Sequence, residues 1–200
     1  MSANTRSRRL DGRHLAAALA IAGVLAVSPV PATPTATATP TGTATGAPAL
    51  PRSVQDIAPG LAVRGGGLMT FFGIAVYDGW YWAAAQGWPH GDYALDLVYH
   101  RDLEGNKIAQ RSVDEITQLD YGTPEQRATW GKLMAGLFPD VRKGDRLTGV
   151  HAARGTVRYF HNGRFIGAIE DPGFAQAFFG IWLDPKSSRA DFRQKLLGTP

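Results

Sequence analysis

LAVRGGGLMTFFGIAVYDGWYWA, residues 61–83, contains a glycine triplet followed by two runs that are rich in aromatic and β-branched side chains. Such runs favour β-strands. The Asp78-Gly79 pair between them is the kind of dipeptide that closes a two-residue hairpin turn, so we expect a hairpin that turns there. The glycine triplet, residues 65–67, predicts a tight loop or bulge before the first core strand, or a close approach of backbone to a ligand.

Strands and helices follow in blocks along the rest of the chain. Residues 94–100 predict a strand, and Asn162-Gly163 predicts a hairpin turn within residues 156–170. Hydroxyl and carboxylate capping patterns predict four helix starts. These lie at Ser112, Thr123, Asp171 and Ser188. The order of strands, two helices, strands and two helices predicts an α+β fold with a largely antiparallel sheet layered with helices.

The N-terminal third differs from the rest in composition. Four arginines in the first 13 residues precede an apolar run at residues 15–27 and then small residues, the pattern of a secretory signal. Residues 1–32 are therefore predicted to be a signal peptide, with cleavage after Ala32 or Ala38. A twin-arginine export route and an uncleaved membrane anchor remain as alternatives. Residues 33–52 predict a disordered Pro/Thr/Ala-rich linker, and residues 53–200 a single domain.

Charge and composition limit the partners of the domain. The chain has 21 basic and 17 acidic residues, but four arginines and one aspartate lie in the first 50 residues. The remainder is nearly balanced and has no basic run, so nucleic acid is not an expected partner. The absence of cysteine excludes disulfides and thiolate metal ligands. We expect an exported protein, periplasmic or extracellular, that meets a membrane only if its signal stays uncleaved.

The domain shows no recognised catalytic or metal-binding motif. Four histidines, at positions 90, 100, 151 and 161, do not follow a metal-ligand spacing. Pairing of His100 with Asp102, or of His151 with Asp145, would give a proton-transfer pair, but an Arg–Asp contact that holds a strand end is the favoured interpretation. No GxSxG nucleophile motif is present. No catalytic residue, metal or cofactor is therefore predicted.

Three segments carry a resemblance to a known family. GGGLMTFFGIAVY (65–77) resembles the opening strand of the chalcone isomerase-like family. LDLVYHRDL (95–103) and FHNGRFIG (160–167) are similar to later elements of its bacterial, exported members. The resemblance implies an open-faced β-sandwich with an apolar cleft between sheet and helices. The family's plant enzymes close a flavanone ring there, and related non-catalytic members bind fatty acids.

Departures from the family's pattern concern its active site. The family's active-site arginine matches Met69, its catalytic threonine matches Phe72, and its helix tyrosine falls near Gln126. Loss of these donors would remove the stabilisation that the isomerase reaction needs. The resemblance therefore implies no flavonoid isomerase activity and a drier cleft for a small apolar or fatty-acid-like ligand. The predicted lining consists of Met69, Phe72, Tyr99, Gln126 and Trp130.

Two alternatives belong to other functional classes. The first is an isomerase or intramolecular lyase on another substrate, using His151, Tyr99 or Tyr121 as acid–base groups. The second is a cell-envelope interaction module without a ligand, in which the cleft is filled core. The second alternative predicts no cavity beside Met69 and an exposed apolar patch elsewhere.

Overall fold

A computed structural model describes residues 46–152 and 155–199. The predicted signal peptide, residues 1–32, and linker residues 33–45 lie outside this part of the chain. None of the helices in the described ranges is long and apolar enough to cross a bilayer. The elements, in chain order, are α1 (Arg52–Gln55), β1 (Ala62–Phe71), β2 (Ile74–Ala83), β3 (Tyr93–Tyr99), α2 (Gly105–Gln118), α3 (Pro124–Leu137), β4 (Arg146–His151), β5 (Thr156–His161), β6 (Arg164–Glu170), α4 (Pro172–Leu183) and α5 (Ala190–Leu197).

The six strands form one sheet in which every strand pairs antiparallel with the next one in sequence. The predicted α+β class and antiparallel sheet are confirmed. One face of the sheet, which we call the front, packs against the four long helices through a large aromatic core. The back face carries a smaller apolar cluster built on side chains such as Trp82 and Phe160.

The first hairpin turns at Phe72-Gly73, so the predicted turn at Asp78-Gly79 is wrong. Phe72 and Gly73 both have positive φ, 48° and 76°, as a two-residue hairpin turn requires. Asp78 lies inside β2, where its carboxylate is 2.8 Å from Nε2 of His100. The glycine triplet, residues 65–67, lies within β1 rather than in a loop before it, although a bulge does occur between Val63 and Gly65.

Gly79 has a packing role that local turn signals do not reveal. A Cβ atom at this position would lie 2.8 Å from Cζ of Phe192, which is a buried ring of α5. Glycine therefore leaves room for that ring against the middle of β2. The Asp-Gly dipeptide is explained by contact with a helix 113 residues away rather than by a turn.

Helix starts are only partly as predicted. Thr123 caps α3 in a reciprocal capping box with Gln126, and Asp171 accepts hydrogen bonds from the first amides of α4. Both predictions are confirmed. The prediction at Ser112 is wrong because α2 begins at Gly105, and the Ser112 hydroxyl donates to the Ile108 carbonyl within the helix. Ser188 does not cap α5; its hydroxyl donates to Glu115 instead.

The second hairpin turns at Asn162-Gly163, as predicted, with φ values of 50° and 78°. The side chains of the two strands that it joins do not alternate strictly between the two faces of the sheet. A bulge between Tyr159 and Phe160 shifts the register, so that Ile169 pairs with Val157 and shares the front core. Strict alternation across a two-residue turn would instead place these two side chains on opposite faces.

The N-terminal segment of the described chain is packed on the back of the sheet. Ala47 and Leu50 are buried in the back cluster, and the Ser53 hydroxyl donates to the Gly163 carbonyl at 2.7 Å. Nη1 of Arg146 donates to the Ala49 carbonyl at 3.0 Å. Residues 46–52 therefore belong to the packed domain, and the predicted domain start at Ser53 is too late.

One ion pair on the sheet has a fully buried carboxylate and a guanidinium side chain that is 18% exposed. Asp96 of β3 has 0% exposure and accepts two hydrogen bonds from the Arg146 guanidinium, at 2.7 and 2.5 Å. A third comes from the Thr148 hydroxyl at 2.8 Å. Arg146 also holds the N-terminal segment, so this pair connects β3, β4 and residues 46–58, which we call the N-terminal strap.

We expect Gly65→Ala to lower the free energy of unfolding by about 1–3 kcal/mol, the usual range for overpacking. A Cβ atom at Gly65 would lie 2.2 Å from the Lys195 carbonyl oxygen and 2.6 Å from the Gly198 amide nitrogen. These are backbone atoms, so α5 would have to move off β1. Chemical denaturation measures the change.

Gly67→Ala is the matched control in the same strand. Its nearest neighbour would be Cδ of Lys195, which is a flexible side-chain atom that can move aside. We expect a loss of less than about 1 kcal/mol for this variant. Equal losses for the two variants would show that helix α5 does not rest on the Gly65 backbone.

Candidate functional site

A cavity of about 560 Å³ lies between the front of the sheet and the helices. Its volume is in the range of small-molecule sites, roughly 300–1,000 Å³. The first three strands, α2 and α4 supply most of its lining. The apolar side chains on it are Met69, Phe71, Phe72, Ile74, Val76, Leu97, Tyr77, Tyr99, Leu103, Ile108, Phe138, Leu147, Phe178, Ile181 and Trp182.

The strand pattern explains why the interior of the cavity is apolar. Leu97 and Tyr99 face the front because side chains two apart in β3 share a face. Met69 pairs directly with Tyr77, so both of these side chains also face the front. The Tyr77 and Tyr99 rings meet edge to face at 5.8 Å. The first hairpin and β3 together therefore form one apolar wall.

The two cavity tyrosines are protonated at neutral pH. The indole of Trp182 donates to the Tyr77 hydroxyl at 2.9 Å. Burial raises the pKa of Tyr77 to about 12, although this hydrogen bond opposes the rise. Burial, and next the charge of a neighbouring Tyr77 phenolate, raise the pKa of Tyr99 above its usual value. Neither phenol is therefore suited to accept a proton as a general base.

Basic side chains border the cavity where it meets solvent. Four of them, which we call the basic rim, lie on its lining: Arg101, Lys107, Arg111 and Arg189. The lining contains one acidic residue, the buried Glu115, which pairs with Arg111 and accepts from Ser188. Exposed carboxylates pair with two further members of the rim. Within the described residues Arg101 has no carboxylate partner, so it is the rim member that can pair with an anionic group.

Three of the five predicted lining residues border this cavity, and two do not. Met69, Phe72 and Tyr99 are on its lining. Gln126 instead completes the capping box of α3, and the Trp130 indole donates to Asp171 at 2.8 Å in the core. Helix α3 packs near β6, at the sheet edge opposite the first hairpin, which places both residues away from the cavity.

Phe72 differs from its predicted place inside a dry cleft. It occupies the turn of the first hairpin and is 90% exposed. The position that matches the family's catalytic threonine therefore lies at the mouth of the cavity, whereas Met69 is partly buried against the core.

Sequence reasoning missed the side of the cavity that α2 forms. Lys107, Arg111 and Glu115 follow each other at intervals of four, so they lie on one face of the helix. This spacing was readable in the sequence. It was missed because the capping prediction started the helix at Ser112, after two of these three residues.

The acid–base residues of the enzyme alternative are not brought together. Nδ1 of His151 lies 3.1 Å from the Gly91 carbonyl oxygen, and its ring stacks on Tyr93. Tyr121 donates to Asp184 at 2.6 Å; burial, and next this hydrogen bond, raise the pKa of Tyr121 to about 12. Of the three residues, Tyr99 alone borders the cavity.

The other predicted histidine contacts also differ. His100 pairs with Asp78 rather than with Asp102, whose carboxylate accepts from the Lys143 amide. Asp145 contacts His161, at 3.4 Å, and not His151. Within residues 46–152 and 155–199, no group of three or more potential ligands could hold a metal ion.

The cavity bears on the alternative of an interaction module with a filled core. That alternative predicts no space beside Met69, but Met69 borders the cavity. An exposed apolar patch does exist, at the first hairpin, and it adjoins the cavity rather than lying elsewhere.

Comparison with known proteins identifies the fold. A family model described as chalcone isomerase-like matches residues 49–198. The structure of a fatty-acid binding protein of Arabidopsis thaliana superposes with a TM-score of 0.55 at 12% sequence identity, covering 70% of this chain and 88% of that one. At this identity the likeness shows a shared fold. It confirms the predicted chalcone isomerase type of sheet-and-helix architecture.

A sequence relative comes from Haemophilus influenzae. This uncharacterized protein is 32% identical over 105 residues. The match covers 52% of this chain and 50% of the relative, so the chain spans about half the length of the curated relative that it matches.

Proposed function

The chain belongs to the chalcone isomerase-like family, and on this basis we propose that it is a non-catalytic binding protein for a small apolar, fatty-acid-like ligand. The observation that carries the proposal is the cavity of about 560 Å³, whose interior is apolar and whose edge is basic. An alkyl chain gains about 0.8 kcal/mol for each methylene that it transfers from water to such an interior.

The basic rim gives the ligand an orientation. A carboxylate at the rim would stay in contact with solvent and near Arg101, while the alkyl chain would lie against Leu97 and Tyr99. Guanidinium groups match the planar geometry of a carboxylate. The structural likeness to a fatty-acid binding protein of Arabidopsis thaliana supports this ligand class.

Met69, Tyr77 and Tyr99 on the apolar wall of the cavity favour binding over catalysis. Met69 provides a thioether at the position that matches the family's active-site arginine. Tyr77 and Tyr99 keep their protons at neutral pH. A flexible methionine adapts to the shape of an apolar ligand. The residues that line the cavity therefore suit retention of an alkyl chain better than proton transfer to or from a bound molecule.

Two measurements test the proposed ligand. Native mass spectrometry of the purified chain should show a bound small molecule that organic extraction removes. The extracted protein should then bind a fluorescent fatty acid with a Kd in the micromolar range, or about −8 kcal/mol. A fluorescent alcohol of equal chain length is the control for the rim, and it should bind more weakly. Absence of any bound molecule, with no binding at micromolar concentrations, contradicts the proposal.

We further propose that the protein acts after export, in the periplasm or outside the cell. The support is the arginine-rich start and apolar run at residues 15–27, a pattern typical of secretory signals. Both predicted cleavage positions, Ala32 and Ala38, precede the buried Ala47, so cleavage at either would retain all the residues that the structure describes. N-terminal sequencing of the exported chain should find one of these ends; a cytoplasmic chain that retains Met1 contradicts the proposal.

A further inference from the structure

The tip of the first hairpin exposes a concentrated group of apolar side chains. Phe72 is 90% exposed, and Leu68, Phe71 and Ile74 are 40–54% exposed. These four residues, which we call the hairpin tip, are four of the six large apolar side chains that are exposed in the described part of the chain. An apolar group of this kind on a protein surface marks a contact site.

The backbone at Phe72 shows that neither the turn nor the core explains this residue. Its φ of +48° lies in the left-handed region, where asparagine and glycine are favoured and a bulky aromatic residue is an outlier. Phe72 is also almost fully exposed, so its ring adds little to the folded core. An aromatic side chain held at an unfavourable position in solvent points to a role in contact with another apolar phase.

The hairpin tip is continuous with the cavity and with its basic rim. Phe71, Phe72 and Ile74 border both the solvent and the cavity. The Arg111 guanidinium lies 5.9 Å from the centre of the Phe71 ring. On the other side, Nζ of Lys195 lies 3.3 Å from the Leu68 carbonyl. Apolar side chains flanked by cations complement the surface of an anionic lipid bilayer.

We propose that the hairpin tip and the basic rim dock the mouth of the cavity onto an anionic membrane. Phe71, Phe72 and Ile74 enter the interface between headgroups and acyl chains, and the rim contacts lipid phosphates. An apolar ligand then passes between the bilayer and the cavity without crossing water. This transfer rests on the proposed function, whereas the docking is measured independently of any ligand. Peripheral docking needs no uncleaved signal, whereas the sequence-based expectation allowed membrane contact only through one.

A position-specific fluorescent label tests the docking. The chain has no cysteine, so Ile74→Cys provides a single labelling site for an environment-sensitive dye in the full chain. Vesicles of phosphatidylcholine with about one third phosphatidylglycerol should shift its emission to the blue. The same dye at Leu133→Cys, an exposed apolar position of α3 that does not border the cavity, is the control and should not shift. This comparison separates the hairpin tip from any membrane contact of residues 15–27.

Phe72→Asn in the labelled Ile74→Cys chain tests the role of the exposed ring. Asparagine tolerates the left-handed turn, so the hairpin should form normally. Loss of the ring that enters the bilayer interface should raise the lipid concentration for half-maximal shift at least about tenfold. About 1 M salt should weaken docking of the parent chain, because it screens the rim.

Several outcomes would overturn the docking proposal. These are no shift at Ile74→Cys, equal shifts at both labelled positions, equal shifts with uncharged vesicles, or no effect of Phe72→Asn. A shift that grows with protein concentration without lipid would instead assign the hairpin tip to a second copy of the chain. Insertion without binding of the fluorescent fatty acid supports docking and contradicts the proposed function. Fatty-acid binding in vesicle-free solution without insertion overturns docking alone.

Discussion

Met69→Trp is expected to weaken binding of the fluorescent fatty acid on the order of a hundredfold. The Met69 side chain borders the cavity and faces the same side as Tyr77, so an indole in its place would occupy space that the alkyl chain needs. Exclusion of roughly four methylenes costs about 3 kcal/mol at 0.8 kcal/mol each. Titration of the extracted protein with the fluorescent fatty acid measures the change in Kd.

Leu68→Trp is the matched control for this variant. Leu68 is the neighbouring residue of β1 and does not border the cavity, because successive strand residues point to opposite faces. The same increase in side-chain size should therefore leave the Kd within about twofold. Thermal unfolding of both variants checks that each is folded. Equal Kd values for Met69→Trp and the parent chain would place the ligand outside this cavity.

Asp96→Ala is expected to lower the free energy of unfolding by about 3–5 kcal/mol, the range found when one partner of a buried ion pair is removed. Three hydrogen bonds end on the Asp96 carboxylate, two from Arg146 and one from Thr148. Without it, the Arg146 charge would remain in the sheet with no carboxylate partner. Urea unfolding of the full chain measures the loss.

Two further variants show whether the unpaired charge is the cause. Glu170→Ala removes an exposed carboxylate from β6 and should change stability by less than about 0.5 kcal/mol. Arg146→Ala added to Asp96→Ala removes the unpaired charge and should recover part of the loss. A loss below about 1 kcal/mol for Asp96→Ala would mean that water reaches Arg146 and replaces the carboxylate.

Helix starts and tight turns that depend on neighbouring residues could be predicted from the sequence. Thr123, Asp171 and Asn162-Gly163 act within a few residues of themselves, so sequence alone identified two helix starts and one turn. Contacts between distant residues were not predictable in this way. Gly79 is a glycine because a side chain there would collide with the ring of Phe192, which is distant in sequence. A rule based on neighbouring residues therefore assigned the first turn to the wrong dipeptide.

In the candidate site too, local patterns were predictable and contacts between distant residues were not. Tyr99 was predicted to line the cleft, and it borders the cavity because strand alternation, which is local, places it on the front face with Leu97. Gln126 and Trp130 were predicted from the resemblance along a helix whose position over the sheet the sequence does not show. Their actual hydrogen bonds serve the cap of α3 and the carboxylate of Asp171.

The order of the strands has a consequence for folding kinetics. Each strand pairs with its neighbour in sequence, and four of the five pairings close short loops, which form fast. The pairing of β3 with β4 spans residues 100–145, and the contact of α5 with β1 spans nearly the whole described domain. We expect the hairpins to form first and the packing of α5 on β1 to limit the folding rate. Gly65→Ala should therefore slow refolding in stopped-flow experiments. An unchanged refolding rate would show that α5 packs on β1 after the rate-limiting step.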